Sequence, residues 1–313
     1  MILAPMQGLT EVLFRRVYEK CFPGALPLAV SPFLSLTHNI ESARGGIQES
    51  LLDDVLPERN EGSIPVIPQI LGKEPNEFVA LANCLYDLGY TEVNWNMGCP
   101  VRKVAAKQRG SGLLPHPDLV RSILDSVLPR FKPTLSVKVR LGLKERDEIF
   151  RLVPVLNDYP LSSVTIHPRL GRQQYGGQPD LETFGEVLPL VMHPVIYNGD
   201  IVSPADARRI RERFPSVVDL MIGRGILYRP TLPLEIDGTM SPADCLPAAK
   251  GFIAALMEAI ADGYINEGSR LRKTKEYWSL LWKALPISEM QAREVLRQEK
   301  LTIVDKMIAD YLQ

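Results

Sequence analysis

Cys99 sits between a glycine and a proline in "NWNMGCPVRK" and opens a loop carrying Arg102, Lys103, Lys107 and Arg109 without an acid. A free cysteine is most often a small buried hydrophobe. At the end of a strand-like run, amid cations, it can also serve as a thiolate or as a positioned acid. Comparable runs end in other polar groups: Pro5-Met6-Gln7, Gln69, Asn96, Asn198-Gly199-Asp200 and Gly223-Arg224. Lys138 lies inside "SVKVRL" and His167 inside "SSVTIHP". An ammonium buried in such a strand is costly unless it meets an anion or polar partner.

Positioning these groups requires a scaffold. Eight short apolar or β-branched runs recur along the chain: "MILAPM", "LPLAVSPF", "PVIPQIL", "TEVNWNM", "LSVKVRL", "SSVTIHP", "PVIYNGD" and "VDLMIGR". Between them lie helix-like stretches at 74–88, 118–128, 145–157 and 204–214. "SPADARRI" and "HPDLVRSI" place proline at the first helical position, where its missing N–H costs nothing. Strand alternating with helix implies parallel pairing. Eight units in about 230 residues predict closure into a (β/α)8 barrel, a TIM barrel, typically about 250 residues long. An open doubly wound sheet is the alternative, but no GxGxxG follows an early strand. From about residue 235 no strands interleave, so the reading is an α/β barrel over 1–234 and an all-helical domain over 235–313.

In such a barrel chemistry gathers at the C-terminal strand ends, and the last two loops commonly cradle a phosphate. "YNGD" and "IGRG" occupy those places, with glycines that admit backbone N–H groups to an anion. Each alone is a common turn. Together with Lys138 and His167 they suit FMN, its phosphate on Gly199, Gly223 and Arg224 and its ring edge on Gln69, Lys138 and His167.

The composition is that of a soluble protein: 45% hydrophobic, 23% charged, with a net charge of −1. No run approaches the roughly 18 apolar residues of a membrane span. The chain opens on "MILAPM" without a basic leader, and Cys21, Cys84, Cys99 and Cys245 are scattered without CxxC pairs. These features predict a cytoplasmic protein with neither disulfides nor a metal site. Near-zero charge creates no global attraction to nucleic acid. Local clusters matter more, and Arg270, Arg272, Lys273 and Lys275 fall together in "SRLRKTK".

"LAPMQG", "NWNMGCP…GSGLL", "SVKVRLG", "HPR…QQYGG", "PVIYNGDI" and "MIGRG", in this order, resemble the bacterial tRNA-dihydrouridine synthases (Dus) across essentially the whole chain. The resemblance implies an FMN-containing TIM barrel followed by a helical tRNA-binding domain. NADPH would reduce the flavin. Hydride would then pass to C6 of an extruded D-loop uridine while a cysteine, by position Cys99, protonates C5. It places Pro5, Met6, Gln7, Gln69, Lys138, His167, Asn198, Gly199, Asp200, Gly223 and Arg224 at the flavin. Asn96, Arg169, Arg272 and Lys275 would meet the RNA, and the protein would act as a monomer, without membrane or metal. Asn94 stands where the family usually has an acid, and Pro168-Arg169-Leu170 replaces Gly-Arg-Thr. The tail stretch "RLRKTKEYWSLL" is similar to the subfamily that modifies position 16. Flavin barrels reducing free pyrimidines share the barrel, FMN and a Cys or Ser acid/base, but the basic helical tail and the lack of iron–sulfur cysteines stand against them. An RNA-binding factor without catalysis would have no use for Cys99, Lys138 and His167.

Overall fold

The computed structural model describes residues 1–35 and 49–313. Eight parallel strands close on themselves: β1 (Ile2–Leu3), β2 (Leu28–Leu34), β3 (Val66–Ile70), β4 (Glu92–Met97), β5 (Thr134–Gly142), β6 (Leu161–Leu170), β7 (Val195–Tyr197) and β8 (Asp219–Ile222). The circle closes where Ile2 pairs with Met221. All eight apolar runs of the sequence are thus barrel strands, in the predicted order.

The alternation of side chains across each strand separates two environments. Val93, Trp95 and Met97 of β4, with Val137, Val139 and Leu141 of β5, join the main core under the surrounding helices. The opposite faces turn inward. There β1, β2, β7 and β8 contribute an apolar cluster of Ile2, Ala4, Val30, Ile196 and Met221. Asn94 and Asn96 of β4, Ser136, Lys138 and Arg140 of β5, and Thr165, His167 and Arg169 of β6 form the other, polar half. Register aligns them: Asn96 pairs with Lys138, Lys138 with Thr165, and Arg140 with His167.

The helices start where their caps allow. Ser203 accepts from the Asp206 N–H at 3.2 Å, with Pro204 at the first turn. The helix expected from residue 145 begins at Glu148 instead. The Glu148 carboxylate collects the backbone N–H groups of Leu143, Lys144 and Glu145 at 2.6–3.2 Å, which fixes a turn before the helix can start.

After β8 only helices follow, among them Pro242–Gly263, Glu267–Leu281, Glu289–Arg297 and Leu301–Leu312. They dock on the first barrel helix, Val12–Cys21, through aromatic rings. Phe252 meets Phe14 and Tyr18 edge-on, and Tyr277 stacks on Phe14. Phe252 is fully buried. Phe252→Ala is therefore expected to cost about 3–5 kcal/mol, measured as a lower urea midpoint at unchanged slope.

Candidate active site

A cavity of about 250 Å3 opens at the C-terminal ends of the strands. Cys99 and Asn96 stand at one wall, with Lys138 and His167 beside them; Pro5, Met6 and Gln7 enter from the loop after β1. Asn198, Gly199, Asp200, Gly223 and Arg224 complete it from β7 and β8.

The cysteine loop is held from below. Asn96 Oδ1 accepts the backbone N–H groups of Gly98 and Cys99 at 3.0 and 2.8 Å. Asn96 Nδ2 donates to Gln69 Oε1 at 2.7 Å, and Gln69 Nε2 donates to Asn94 Oδ1 at 2.7 Å. Asn94 Nδ2 then donates to Ser136 Oγ at 2.9 Å. This explains the amide at position 94, because a carboxylate there could not donate to Ser136. Gln69 is fully buried, lies outside the cavity lining and supports Asn96.

The "GSG" motif anchors the same loop from its far side. Ser111 donates to the Cys99 carbonyl through both N–H and Oγ, at 3.0 and 2.8 Å. Gly110 has φ +55°, and a Cβ there would lie 2.8 Å from Cys99 Cβ. Burial raises the Cys99 thiol pKa, offset in part by the Val101 N–H, Arg140 and Lys138. The thiol is thus neutral near pH 7. The loop cations do not tune it: Arg102, Lys103 and Lys107 are exposed.

Lys138 is the unpaired charge of the site. It has no hydrogen-bond or ion-pair partner among the described residues, and burial followed by the like charge of Arg140 lowers its pKa to about 7. His167 is pushed well below its usual value by burial and by Arg140, Lys138, Arg169 and Arg224, so it is neutral. Asp200 draws the far side together. It pairs with Arg224 at 2.8 Å and with Arg169. Burial alone would raise its carboxyl pKa; the two guanidinium groups outweigh that and hold it low. Asn198 Nδ2 ties β7 to β8 by donating to the Met221 carbonyl at 2.8 Å. A Cβ on Gly225 would fall 1.9 Å from the Ile201 carbonyl, which leaves glycine alone able to occupy that turn.

Two groups were missed by sequence reasoning. Arg140 is buried, donates to the Gly98, Leu170 and Gln174 carbonyls, and lines the cavity. Its signal was its spacing of two from Lys138, which puts both on one face of β5. Tyr175, 59% exposed, stands at the rim with Arg140 and Arg224 at 5.9 and 5.5 Å from its ring centre.

The residues assigned to RNA divide. Arg169 is 1% exposed and bound to protein groups, so it cannot reach an incoming chain. Arg272 is exposed and Lys275 half-buried on the Glu267–Leu281 helix, outside the cavity. Their neighbours in "SRLRKTK" are occupied: Arg270 pairs with Asp305 at 2.7 Å, and Lys273 with Glu11 at 3.1 Å and the Gly8 carbonyl. Tyr277 Oη donates to the Leu9 carbonyl at 2.7 Å. The tail helix thereby clamps the loop that carries Met6 and Gln7.

Among the described residues no three His, Cys, Asp or Glu side chains are placed to hold a metal, and no helix is long and apolar enough to cross a membrane. The fold resembles histamine dehydrogenase from Rhizobium sp. 4-9 (TM-score 0.61, 12% identity, all of this chain and 61% of that one). It also resembles morphinone reductase (TM-score 0.52, 12% identity, 77% and 86%). At such identities the likeness is one of fold. In sequence, the chain is 28% identical to a probable tRNA-dihydrouridine synthase of Rickettsia bellii over 99% of this chain and 94% of that protein. It is 30% identical to tRNA-dihydrouridine synthase B of Escherichia coli K12 over 90% and 86%. Residues 2–309 match the dihydrouridine synthase family, and with that match the chain belongs to the Dus family.

Proposed function

We propose that this protein reduces the C5=C6 bond of a uridine in the D-loop of tRNA, with FMN as cofactor, NADPH as reductant and Cys99 as general acid. Family membership supports the reaction class. The observation that carries the mechanism is a thiol and a lysine without a partner among the described residues, both lining one cavity.

The residues fit an anionic cofactor. Lys138 lacks a counter-charge, Arg224 is held by Asp200, and Gly199 and Gly223 present backbone without side chains. Pro5, Met6, Gln7, Asn198 and His167 would complete the FMN site. Bound FMN would supply hydride to uracil C6. Cys99 Sγ gives its proton to C5; the resulting thiolate is stabilised by the Val101 N–H, Arg140 and Lys138, then regains a proton from water. Asn96 and Ser111 fix the direction of that transfer by holding the loop backbone.

Extruding the base costs a few kcal/mol. Exposed Arg102, Lys103 and Lys107 in the loop after Cys99, and Arg272 and Lys275 on the helical unit 235–313, offer phosphate contacts that offset it. Arg272→Glu with Lys275→Glu is expected to weaken tRNA binding and flatten its salt dependence by about two charges; an unchanged slope in filter binding would remove them from the interface. The tail stretch supports position 16 as the target, in a cytoplasmic enzyme.

Because Lys138 is half-titrated near pH 7 when unpartnered, FMN binding at pH 8 is expected to take up protons. Calorimetry in two buffers of different ionisation enthalpy reads this directly. The function itself is tested with purified protein and tRNA from a strain lacking the gene: a flavin absorption band and new dihydrouridine at position 16 are expected. Reoxidation by free uracil or orotate but not tRNA would point to a small-molecule reductase, and a colourless protein to a non-catalytic RNA-binding role.

A further inference from the structure

We propose that Arg169 is a positioning residue that holds His167 in one neutral tautomer, with hydrogen on Nδ1, so that the ring presents an N–H donor to the cavity. The inference rests on a complete count of the guanidinium donors. Nε donates to the Gly176 carbonyl at 3.1 Å. Nη1 donates to Asp200 Oδ1 at 2.9 Å and faces His167 Nε2 at 3.1 Å. Nη2 donates to the Gly177 carbonyl at 2.6 Å and to Asp200 Oδ2.

Five N–H groups thus have five acceptors, and a guanidinium carries no acceptor of its own. His167 Nε2 must therefore offer a lone pair. Buried among Arg140, Lys138, Arg169 and Arg224, the ring does not hold two protons. Its single proton is left on Nδ1, which has no partner among the described residues, in a side chain that lines the cavity.

The loop is built for this arrangement. Gly177 has φ +69°, and the Gly176-Gly177 pair turns two successive carbonyls onto Arg169. Tyr175, immediately before them, reaches the rim. One buried arginine so sets the ring, the Asp200 carboxylate and the loop bearing Tyr175. The ligand atom that His167 recognises is an acceptor without a proton, such as a carbonyl oxygen or bare ring nitrogen of a heterocycle. That last step rests on the FMN reading; the tautomer does not.

The test is nitrogen-15 and proton NMR of the protein labelled at histidine, with FMN bound and after its removal. His167→Gln assigns the signal among the four histidines. Expected in both states at pH 7 are a protonated Nδ1 and a pyridine-type Nε2, with the Nδ1–H resonance moving on FMN addition. Arg169→Met is expected to convert the ring to a mixture or to the Nε2–H form. A wild-type spectrum with Nε2 protonated, or with both nitrogens protonated, overturns the proposal whether or not the variant folds. An Nδ1–H signal that stays still at saturating FMN contradicts the donor role. An Nδ1–H tautomer in a protein that does not bind FMN would leave the positioning intact and refute the cofactor assignment instead.

Discussion

Cys99→Ala is expected to lower dihydrouridine formation by about 10²–10⁴-fold, the usual contribution of a positioned acid, while FMN stays bound and NADPH is still oxidised. The separation is possible because the loop does not depend on the thiol. Asn96 holds it through the Gly98 and Cys99 N–H groups, and Ser111 through the Cys99 carbonyl. Removing Sγ therefore deletes the proton source and leaves the cavity in place. Ser111→Ala should do the reverse, keeping the thiol but loosening its aim, with a smaller loss. An acid works only while protonated, and burial raises the Cys99 pKa. Single-turnover rates should thus hold through neutrality and fall at high pH, a limb absent from the alanine variant. Turnover by Cys99→Ala at the wild-type rate would remove Cys99 from the mechanism.

Lys138→Met is expected to act with opposite signs on stability and on cofactor binding. Without ligand, Lys138 is a half-buried ammonium with no counter-charge among the described residues, so its native pKa is about 7 against about 10.5 in the unfolded chain. Between these values the unfolded state binds more protons, and wild-type stability rises with pH. The penalty is complete below about pH 7 and disappears above about 10.5. Methionine removes it, so the FMN-free variant should be more stable by on the order of a few kcal/mol at pH 6, with the advantage shrinking towards pH 9. FMN affinity should fall about 10–100-fold, as for the loss of a charged hydrogen bond. Melting curves at the two pH values and a flavin titration read both effects. A variant that is less stable at pH 6 would show that Lys138 has a structural partner.

The barrel was legible because its strands are short apolar runs at regular spacing. Twelve of the residues singled out, from Pro5 to Arg224, line one cavity, because consecutive parallel strands all deliver their C-terminal ends to the same mouth. What one chain cannot reveal is depth. Gln69 and Arg169 carry the same polar side chains as true lining residues, yet they lie in the layer behind, supporting Asn96 and His167. The basic loop after Cys99 misled in the opposite way. Arg102, Lys103 and Lys107 face water, while the charges that act on the thiol, Arg140 and Lys138, come from β5. Tyr175 was hidden because a loop tyrosine acquires meaning only when the fold sets guanidinium groups of two different strand ends beside it.

The most direct measurement is the stereochemistry of reduction in H2O, with unmodified tRNA carrying uridine deuterated at C5 and C6 as substrate and the released dihydrouridine examined by NMR. A proton from Cys99 and hydride from the opposite wall of the cavity must add to opposite faces of the ring. The two added protium atoms, one at C5 and one at C6, are therefore expected trans to each other. Addition of both hydrogens to the same face of the ring would contradict a thiol and a cofactor facing each other across the base.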